Sequence, residues 1–361
     1  DPGQAFTLSS TKVIDEFIEA KEQGIHTRPV LIGPVTYLML AKSKNEKLDR
    51  LALLDNLLPV YEKVLQRLAA EGADWVQIDE PMLGMTLDDR ERSAFGLSFA
   101  RLNASTPAIK LLAAVYFGDL RENMKVALAL QVAAIHVDLV RGPEQLDEIM
   151  AKLPEGMMLS LGLVDGRNVW KTDFSTAMAM ATKATGTIGS ARIIIGPSCS
   201  MLHSPVDLDL EPGLDTEMRS WMAFAKQKIT EIGVLAAAAN GKKADIQDAL
   251  KANMTAMERR KRSTRIHNPD VQLRVTAITP EMYARQSPYS ERRHTQRQSI
   301  KLPEFPTTTI GSFPQTSEIR KARAAHRKGE LTDKQYDKFL MGEIKSVISF
   351  QEEVGLDVLV H

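Results

Sequence analysis

Short apolar segments alternate with helical segments over the first two hundred residues, and this alternation restricts the fold more than any other feature. Each short segment is apolar along its length, as expected for a strand that is buried on both faces of a sheet. The predicted strands are Pro29–Ile32, Trp75–Ile78, Ile109–Tyr116, Ala134–Val140, Met157–Leu163 and Arg192–Ile195. The predicted helices between them are Thr11–Lys21, Leu48–Ala70, Asn123–Leu130, Pro143–Leu153 and Phe174–Thr185. Repetition of strand and helix predicts an α/β fold with a parallel sheet.

Two α/β architectures fit this pattern. Six strand–helix units in about 200 residues suit a TIM-type (β/α)8 barrel that lacks its first units. A doubly wound open sheet is the alternative, but no G-x-G-x-x-G follows the first strand, which weakens its dinucleotide-binding version. We therefore predict the incomplete barrel.

Composition limits the remaining possibilities. Hydrophobic residues make up 43% of the chain and charged residues 25%, as in ordinary globular proteins. The 46 basic and 46 acidic residues balance, so charge gives no support for a nucleic-acid or membrane partner. A single cysteine excludes an intrachain disulfide framework and favours a reducing compartment, the cytoplasm. No apolar run is long enough to predict a membrane span.

The chain divides into three predicted regions: residues 1–235 form the incomplete barrel, 236–300 a helical and basic linker, and 301–361 the start of a second barrel. Predicted helices cover Asp215–Leu235 and Ala244–Arg262. Residues 259–301 contain eleven Lys and Arg residues and only three acidic residues. Such a basic segment could be an anion-binding stripe or a solvated connector between domains. Interleaved aromatic residues are lacking, and this favours the connector.

The last region reads as one strand–helix–strand unit. Thr307–Ile310 and Leu356–Val360 are predicted strands, separated by a loop and a charged helical stretch that ends near Glu353. Such a parallel pair needs cover on both faces and further strands beside it. The first residue, Asp1, is not a methionine and does not open a signal peptide. We therefore expect the chain to be a piece of a longer protein.

Polar residues lie at the predicted C-terminal ends of the strands, where barrels bind their ligands. Asp79 and Glu80 follow the second strand, and paired acids can serve as a general base, a metal ligand or an acceptor for an amine. Because adjacent strand residues point to opposite faces, we expect only one of the two to enter the barrel.

Cys199, His203 and His136 could together form a soft-metal set. However, the chain has no C-x-x-C, no H-E-x-x-H and no second cysteine. We therefore predict that Cys199 is a buried structural thiol and that His136 is a hydrogen-bonded core histidine.

Gly311 and Ser312 follow the predicted strand Thr307–Ile310. Free backbone N–H groups beside a hydroxyl can hold a carboxylate, as other backbone nests do. The same residues can equally form a simple turn, and spacing alone does not separate the two.

The segment Thr307–Thr316 resembles the opening of the C-terminal barrel of the cobalamin-independent methionine synthases. Further similar segments cover the N-terminal half of that family and its linker. They are Leu31–Thr36, Trp75–Pro81, His136–Val140, Asp165–Trp170, Ser198–Pro205 and Ser263–Pro269.

The resemblance implies two face-to-face (β/α)8 barrels, with a catalytic zinc in the C-terminal one. There the methyl group of 5-methyltetrahydropteroyltri-glutamate passes directly to zinc-bound homocysteine, giving methionine. The homocysteine contacts carried over are Ile310, Gly311 and Ser312. The zinc ligands and the catalytic histidine fall after residue 361, so we expect no catalytic or metal residue within this chain and no activity from it alone.

Within the first barrel, the resemblance places Ala113 and Val115 where the catalytic barrel has its His-x-Cys zinc ligands. The implied partners are homocysteine, the folate and the remainder of the second barrel, with no nucleic acid and no membrane. Two alternatives stay open: a non-catalytic scaffold or folate-tail-binding barrel, and a barrel of the uroporphyrinogen-decarboxylase or corrinoid-methyltransferase type. The Ile310–Thr316 block disfavours the second.

Overall fold

The computed structural model describes residues 3–43, 48–242 and 244–361. The chain divides into two compact units, and the division falls between His267 and Asn268 in the sequence. Among the described helices, none is both long and apolar enough to cross a membrane.

A six-stranded sheet forms the centre of the first unit. Neighbouring strands are all parallel, and their order in the sheet is their order in the chain. A doubly wound sheet would reverse this order at a switch point, so that alternative is excluded. The strands are Val30–Ile32 (β1), Trp75–Asp79 (β2), Lys110–Ala114 (β3), Ala134–Asp138 (β4), Met158–Val164 (β5) and Ile193–Pro197 (β6).

Helices follow the strands as the predicted alternation requires. In the first unit they are Lys12–Glu22 (α1), Pro34–Leu40 (α2), Leu54–Ala70 (α3), Asp89–Ser105 (α4), Met124–Leu128 (α5), Gln145–Lys152 (α6), Phe174–Ile188 (α7), Thr216–Trp221 (α8), Ala225–Ala239 (α9) and Gln247–Arg262 (α10).

The two faces of the sheet bury different residues. Val76 and Ile135 belong to the large apolar core that the sheet shares with the helices. Leu112, Ala114 and Ala134 form a separate, smaller cluster on the opposite face. Helices outside and a filled interior are the arrangement of a (β/α)8 barrel. The first unit is therefore a run of six consecutive units of a TIM-type barrel, and the predicted fold class is confirmed.

All six predicted strands are present, with ends shifted by at most a few residues. In the described part of the first unit, two helices, α2 and α4, have no counterpart among the predicted ones. α4 contains Gly96 and several serines, which weaken a helix prediction, although Phe95, Phe99 and Leu102 share its buried face. A capping box does mark its start, since Asp88 accepts from the backbone N–H of Glu91 and Glu91 accepts from that of Asp88.

The prediction of one helix over Asp215–Leu235 is wrong. The structure breaks it into α8 and α9, because the intervening backbone pairs with the loop after β5. Lys171 N–H donates to Trp221 O and Ala223 N–H donates to Val169 O, both at 2.9 Å. Tertiary pairing therefore overrides a locally helical sequence.

The second unit contains the helices Pro269–Thr276 (α11), Tyr289–Ile300 (α12), Ser317–Arg327 (α13) and Asp333–Glu353 (α14). The predicted helical stretch that ends at Glu353 is thus confirmed as two helices. The two predicted strands are reduced to a single parallel bridge between Thr308 and Val358. A ladder extends when further strands pair beside it, and the described part of this unit offers none.

Candidate functional site

Glu80 is completely buried, and its side chain forms hydrogen bonds to the backbone at the start of α2. Its carboxylate accepts the N–H groups of Val35 at 3.1 Å and Thr36 at 2.8 Å, at the helix N-terminus. A Cβ atom on Gly33 would lie 1.9 Å from Glu80 Cδ, so a larger residue here would displace the Glu80 carboxylate. Burial raises the pKa of Glu80 to about 7. The motif Gly33–Thr36 therefore acts as a structural cradle for Glu80.

Asp79 lies on the other face of β2. Its carboxylate accepts hydrogen bonds from Gln77 Nε2 at 2.8 Å and from the Tyr116 hydroxyl at 3.1 Å. Burial raises the pKa of Asp79, while its hydrogen bonds and the charge of Arg28 oppose that rise. The expectation that only one of the two adjacent acids enters the barrel interior is confirmed.

His136 occupies the same level of the sheet, since it pairs in register with Ala114 and Ser160. Its ring Nδ1 lies 2.9 Å from Ser160 Oγ, and its side chain is buried. Burial lowers the pKa of His136 to about 4. The prediction of a hydrogen-bonded core histidine is confirmed.

Cys199 is buried after the end of β6. Its Sγ lies 3.9 Å from Ser198 Oγ and 3.7 Å from Ser200 O. Burial raises the pKa of the thiol, which makes it a weak ligand and a weak nucleophile. His203 is exposed and contacts Phe117. Within residues 3–43, 48–242 and 244–361, no group of three or more His, Cys, Asp or Glu could hold a metal ion. Cys199, His203 and His136 therefore do not assemble into a ligand set.

Ala113 and Val115, which the resemblance places where the catalytic barrel has its His-x-Cys zinc ligands, carry no metal-binding group. Both side chains belong to the core on the helix side of the sheet. Ala114 instead belongs to the interior cluster, against which Tyr116 packs. Because side chains alternate along a strand, a shift of one residue exchanges the two faces. At this strand Leu112, Ala114 and Tyr116 lie with the interior cluster, and none of them is a usual zinc ligand.

A buried carboxylate organises the loops at the C-terminal edge of the sheet. Asp138 accepts the backbone N–H groups of Phe117, Val140 and Arg141 at 3.0–3.1 Å. The Arg141 guanidinium lies 3.6 Å from Asp138 and 3.3 Å from Asp165. The residues at the C-terminal ends of β4 and β5 are therefore joined in one network. Phe117 and Arg141 were not singled out from the sequence, because neither belongs to a recognised motif.

Ile310, Gly311 and Ser312 lie in an exposed loop of the second unit, just after the Thr308–Val358 bridge. Thr309 Oγ1 donates to Gly311 O at 2.9 Å, and a Cβ on Gly311 would meet no atom within 4 Å. Thr307 anchors the bridge, because its N–H and hydroxyl both donate to Asp357 Oδ2 at 2.8 Å. The role of Ile310, Gly311 and Ser312 in binding homocysteine stays a prediction.

Sequence models of one family match both ends of the chain. "Cobalamin-independent synthase, N-terminal domain" matches residues 1–188, and "Cobalamin-independent synthase, Catalytic domain" matches residues 305–361.

Curated relatives match over the whole chain. A protein of Caulobacter vibrioides named 5-methyltetrahydropteroyltriglutamate–homocysteine methyltransferase is 51% identical over 100% of this chain and 46% of its own length. A protein of the same name from Nitrobacter winogradskyi is 50% identical over 99% of this chain and 47% of its own length. The chain thus spans about half the length of these relatives.

Among solved structures, a B12-independent methionine synthase from Shewanella sp., in complex with selenomethionine, is 14% identical. The likeness covers 68% of this chain and 70% of that chain, with a TM-score of 0.48. Because the two family models match residues 1–188 and 305–361, the chain belongs to the cobalamin-independent synthase family.

Proposed function

We propose that the protein containing this chain is a methyltransferase. It transfers the methyl group of 5-methyltetrahydropteroyltri-glutamate directly to homocysteine and so forms methionine, in the cytoplasm. The observation that carries this proposal is the match of the whole chain, at 51% identity, to a relative with that name. The catalytic-domain match over 305–361 supports the same reaction.

In this proposal, Ile310–Ser312 holds the amino-acid end of homocysteine. The loop is exposed and follows the parallel Thr308–Val358 bridge, on the C-terminal side of the predicted strand Thr307–Ile310, and α/β barrels bind their ligands at that end of their strands. Thr309 donates its hydroxyl to Gly311 O, within the turn. The Ser312 hydroxyl would then provide a polar contact to the charged substrate.

Zinc dependence is part of the proposal for the whole protein, but the residues present do not fit a zinc site. The described residues hold no cluster of three metal-ligating side chains, and Cys199 is enclosed by Ser198, Ser200 and Gly166. Zinc would supply an activated thiolate of homocysteine. Its ligands would come from the part of the protein beyond this chain.

For the first unit, we propose a scaffold role without chemistry of its own. Its candidate groups are already engaged: Glu80 binds the start of α2, Asp79 accepts two hydrogen bonds, and His136 is buried against Ser160. We propose the three-part division 1–235, 236–300 and 301–361 as the organisation that joins this scaffold to the catalytic region.

The test is Ser312→Ala in the full-length protein, with each substrate varied separately in steady-state kinetics. Loss of one hydrogen bond to a charged group, worth about 1.5–3 kcal/mol, should weaken homocysteine binding about ten- to hundred-fold. The KM for the folate should not change. Ser346→Ala is the matched control, because Ser346 Oγ donates to Gly342 O within α14. If both serine variants keep the parent kcat/KM for homocysteine, Ser312 is a turn residue and has no role in binding.

A further inference from the structure

Phe117 has a backbone conformation that its environment must enforce. Its φ is +73°, in the left-handed region that bulky side chains avoid, and 41% of the residue is exposed. Its N–H donates to the buried carboxylate of Asp138 at 3.1 Å. Core packing does not account for this strain, because the ring remains at the surface. Strain of this kind persists where the surrounding structure fixes it, most often at functional sites.

Two nitrogen-rich side chains contact the Phe117 ring. The Arg167 guanidinium carbon lies 4.7 Å from the ring centroid. The His203 ring lies at 5.5 Å, nearly edge-on at 66°. In the described part of the chain, neither side chain has a hydrogen bond or an ion pair to another residue. Their N–H groups are thus available to a ligand.

The three residues come from three different loops at one edge of the sheet. Phe117 follows β3, Arg167 follows β5 and His203 follows β6. Asp165, the acid nearest Arg167 in sequence, already engages the Arg141 guanidinium at 3.3 Å and the Arg167 N–H at 2.8 Å. The convergence therefore presents the N–H donors of a guanidinium and of an imidazole on an aromatic surface at the barrel mouth, where ligands bind in this fold.

We propose that Phe117, Arg167 and His203 form a binding site for a small oxyanion, a carboxylate or a phosphate. The ring supports the flat guanidinium by a cation–π contact and leaves its edge N–H groups free for bidentate hydrogen bonds. His203 contributes a further donor from the side. Asp138 positions the ring by holding the Phe117 backbone. The site is independent of the proposed methyl transfer, which uses residues of the second unit.

The experiment titrates the 361-residue chain with inorganic phosphate and, separately, with succinate at constant ionic strength. Calorimetry and the NMR signals of the His203 ring report binding. Arg167→Gln should weaken binding of the preferred anion by about ten-fold or more, since a charge-assisted hydrogen-bond pair is lost. Phe117→Leu should weaken it less, because the guanidinium remains but its aromatic support is gone. Tighter binding of phosphate would identify the ligand as a phosphate, and tighter binding of succinate would identify it as a carboxylate. Equal affinity would mean that the site binds oxyanions in general.

Arg260→Gln is the matched control. Arg260 also lies over an aromatic ring, that of Trp170 at 4.0 Å, and its replacement changes the net charge equally. It should leave binding unchanged. Equal weakening by both arginine variants would show a non-specific charge effect and overturn the proposal. So would dissociation constants weaker than about 10 mM for both probes in the parent chain. Unfolding curves of each variant establish that the fold is retained.

Discussion

The two units of the molecule carry similar local signals but differ in what they bury. Both contain β-branched segments followed by charged, capped helices. In the first unit these segments pair into six parallel strands over a large apolar core. In the described part of the second unit, one residue, Gln351, is buried, and its two strand segments share one bridge. The difference shows that the helices of the second unit form from local sequence, whereas a parallel sheet needs further strands and a core that covers its faces.

The strongest test of this difference compares two identical substitutions. Phe99 in α4 is fully buried, whereas Phe350 in α14 is 52% exposed. Phe99→Ala should lower the free energy of unfolding of the first unit by about 3–5 kcal/mol, because a buried aromatic leaves a cavity. Phe350→Ala should have a much smaller effect, since most of the ring contacts solvent. The measurement is urea unfolding followed by tryptophan fluorescence.

All three tryptophans, Trp75, Trp170 and Trp221, lie in the first unit and report on it alone. Hydrogen exchange of α14 amides monitors the second unit in parallel. A loss for Phe350→Ala as large as that for Phe99→Ala, each measured in its own unit, would show that the second unit has a core comparable to the first.

The stability of the first unit should depend on pH, partly because of His136. Burial lowers the pKa of His136 to about 4 in the folded state, from 6.5. Between these values the unfolded chain binds the proton and the folded chain does not. Stability from this group is therefore present above pH 6.5 and is lost as pH falls toward 4. The whole effect is about 3 kcal/mol, at about 1.4 kcal/mol for each pH unit of pKa shift.

His136→Gln removes this contribution. Glu80 acts in the opposite direction, because burial raises its pKa from 4.5 to about 7 and the folded state then holds the proton more tightly. The quantity to follow is thus the difference between the parent and His136→Gln, measured by the fluorescence transition from pH 4 to 7. The parent should gain stability over the variant as pH rises. If the stability of the parent and of His136→Gln changed equally with pH, the pKa of His136 would be the same in the folded and unfolded states.

The smallest effect concerns the bridge in the second unit. Asp357→Asn should weaken the anchoring of Thr307, whose N–H and hydroxyl donate to that carboxylate. Exchange of the Val358 amide, which donates to Thr307 O at 3.0 Å, should become faster. The tryptophan transition of the first unit should stay at its parent midpoint. Unchanged exchange at Val358 would show that the bridge does not depend on Asp357.

Much of the candidate site was predictable because its residues lie at strand ends. Asp79, Glu80 and His136 were placed on the correct strands, and the alternation of side chains predicted that Asp79 and Glu80 separate. The resemblance did not show which face Ala113 and Val115 take, and the structure places both in the core on the helix side of the sheet. Phe117 was missed, since its conformation depends on a hydrogen bond to Asp138, which lies 21 residues later.

The sequence by itself determined the six strands of the first unit, their order and most of the helices between them, because apolar periodicity acts over a few neighbouring residues. It also carried the family resemblance, through segments such as Thr307–Thr316. The tertiary structure alone decided where the helix over Asp215–Leu235 breaks, which acid is buried, and which side chains meet at the barrel mouth. These outcomes depend on contacts between residues far apart in the chain, and burial and hydrogen bonding across such distances are not encoded in any local pattern.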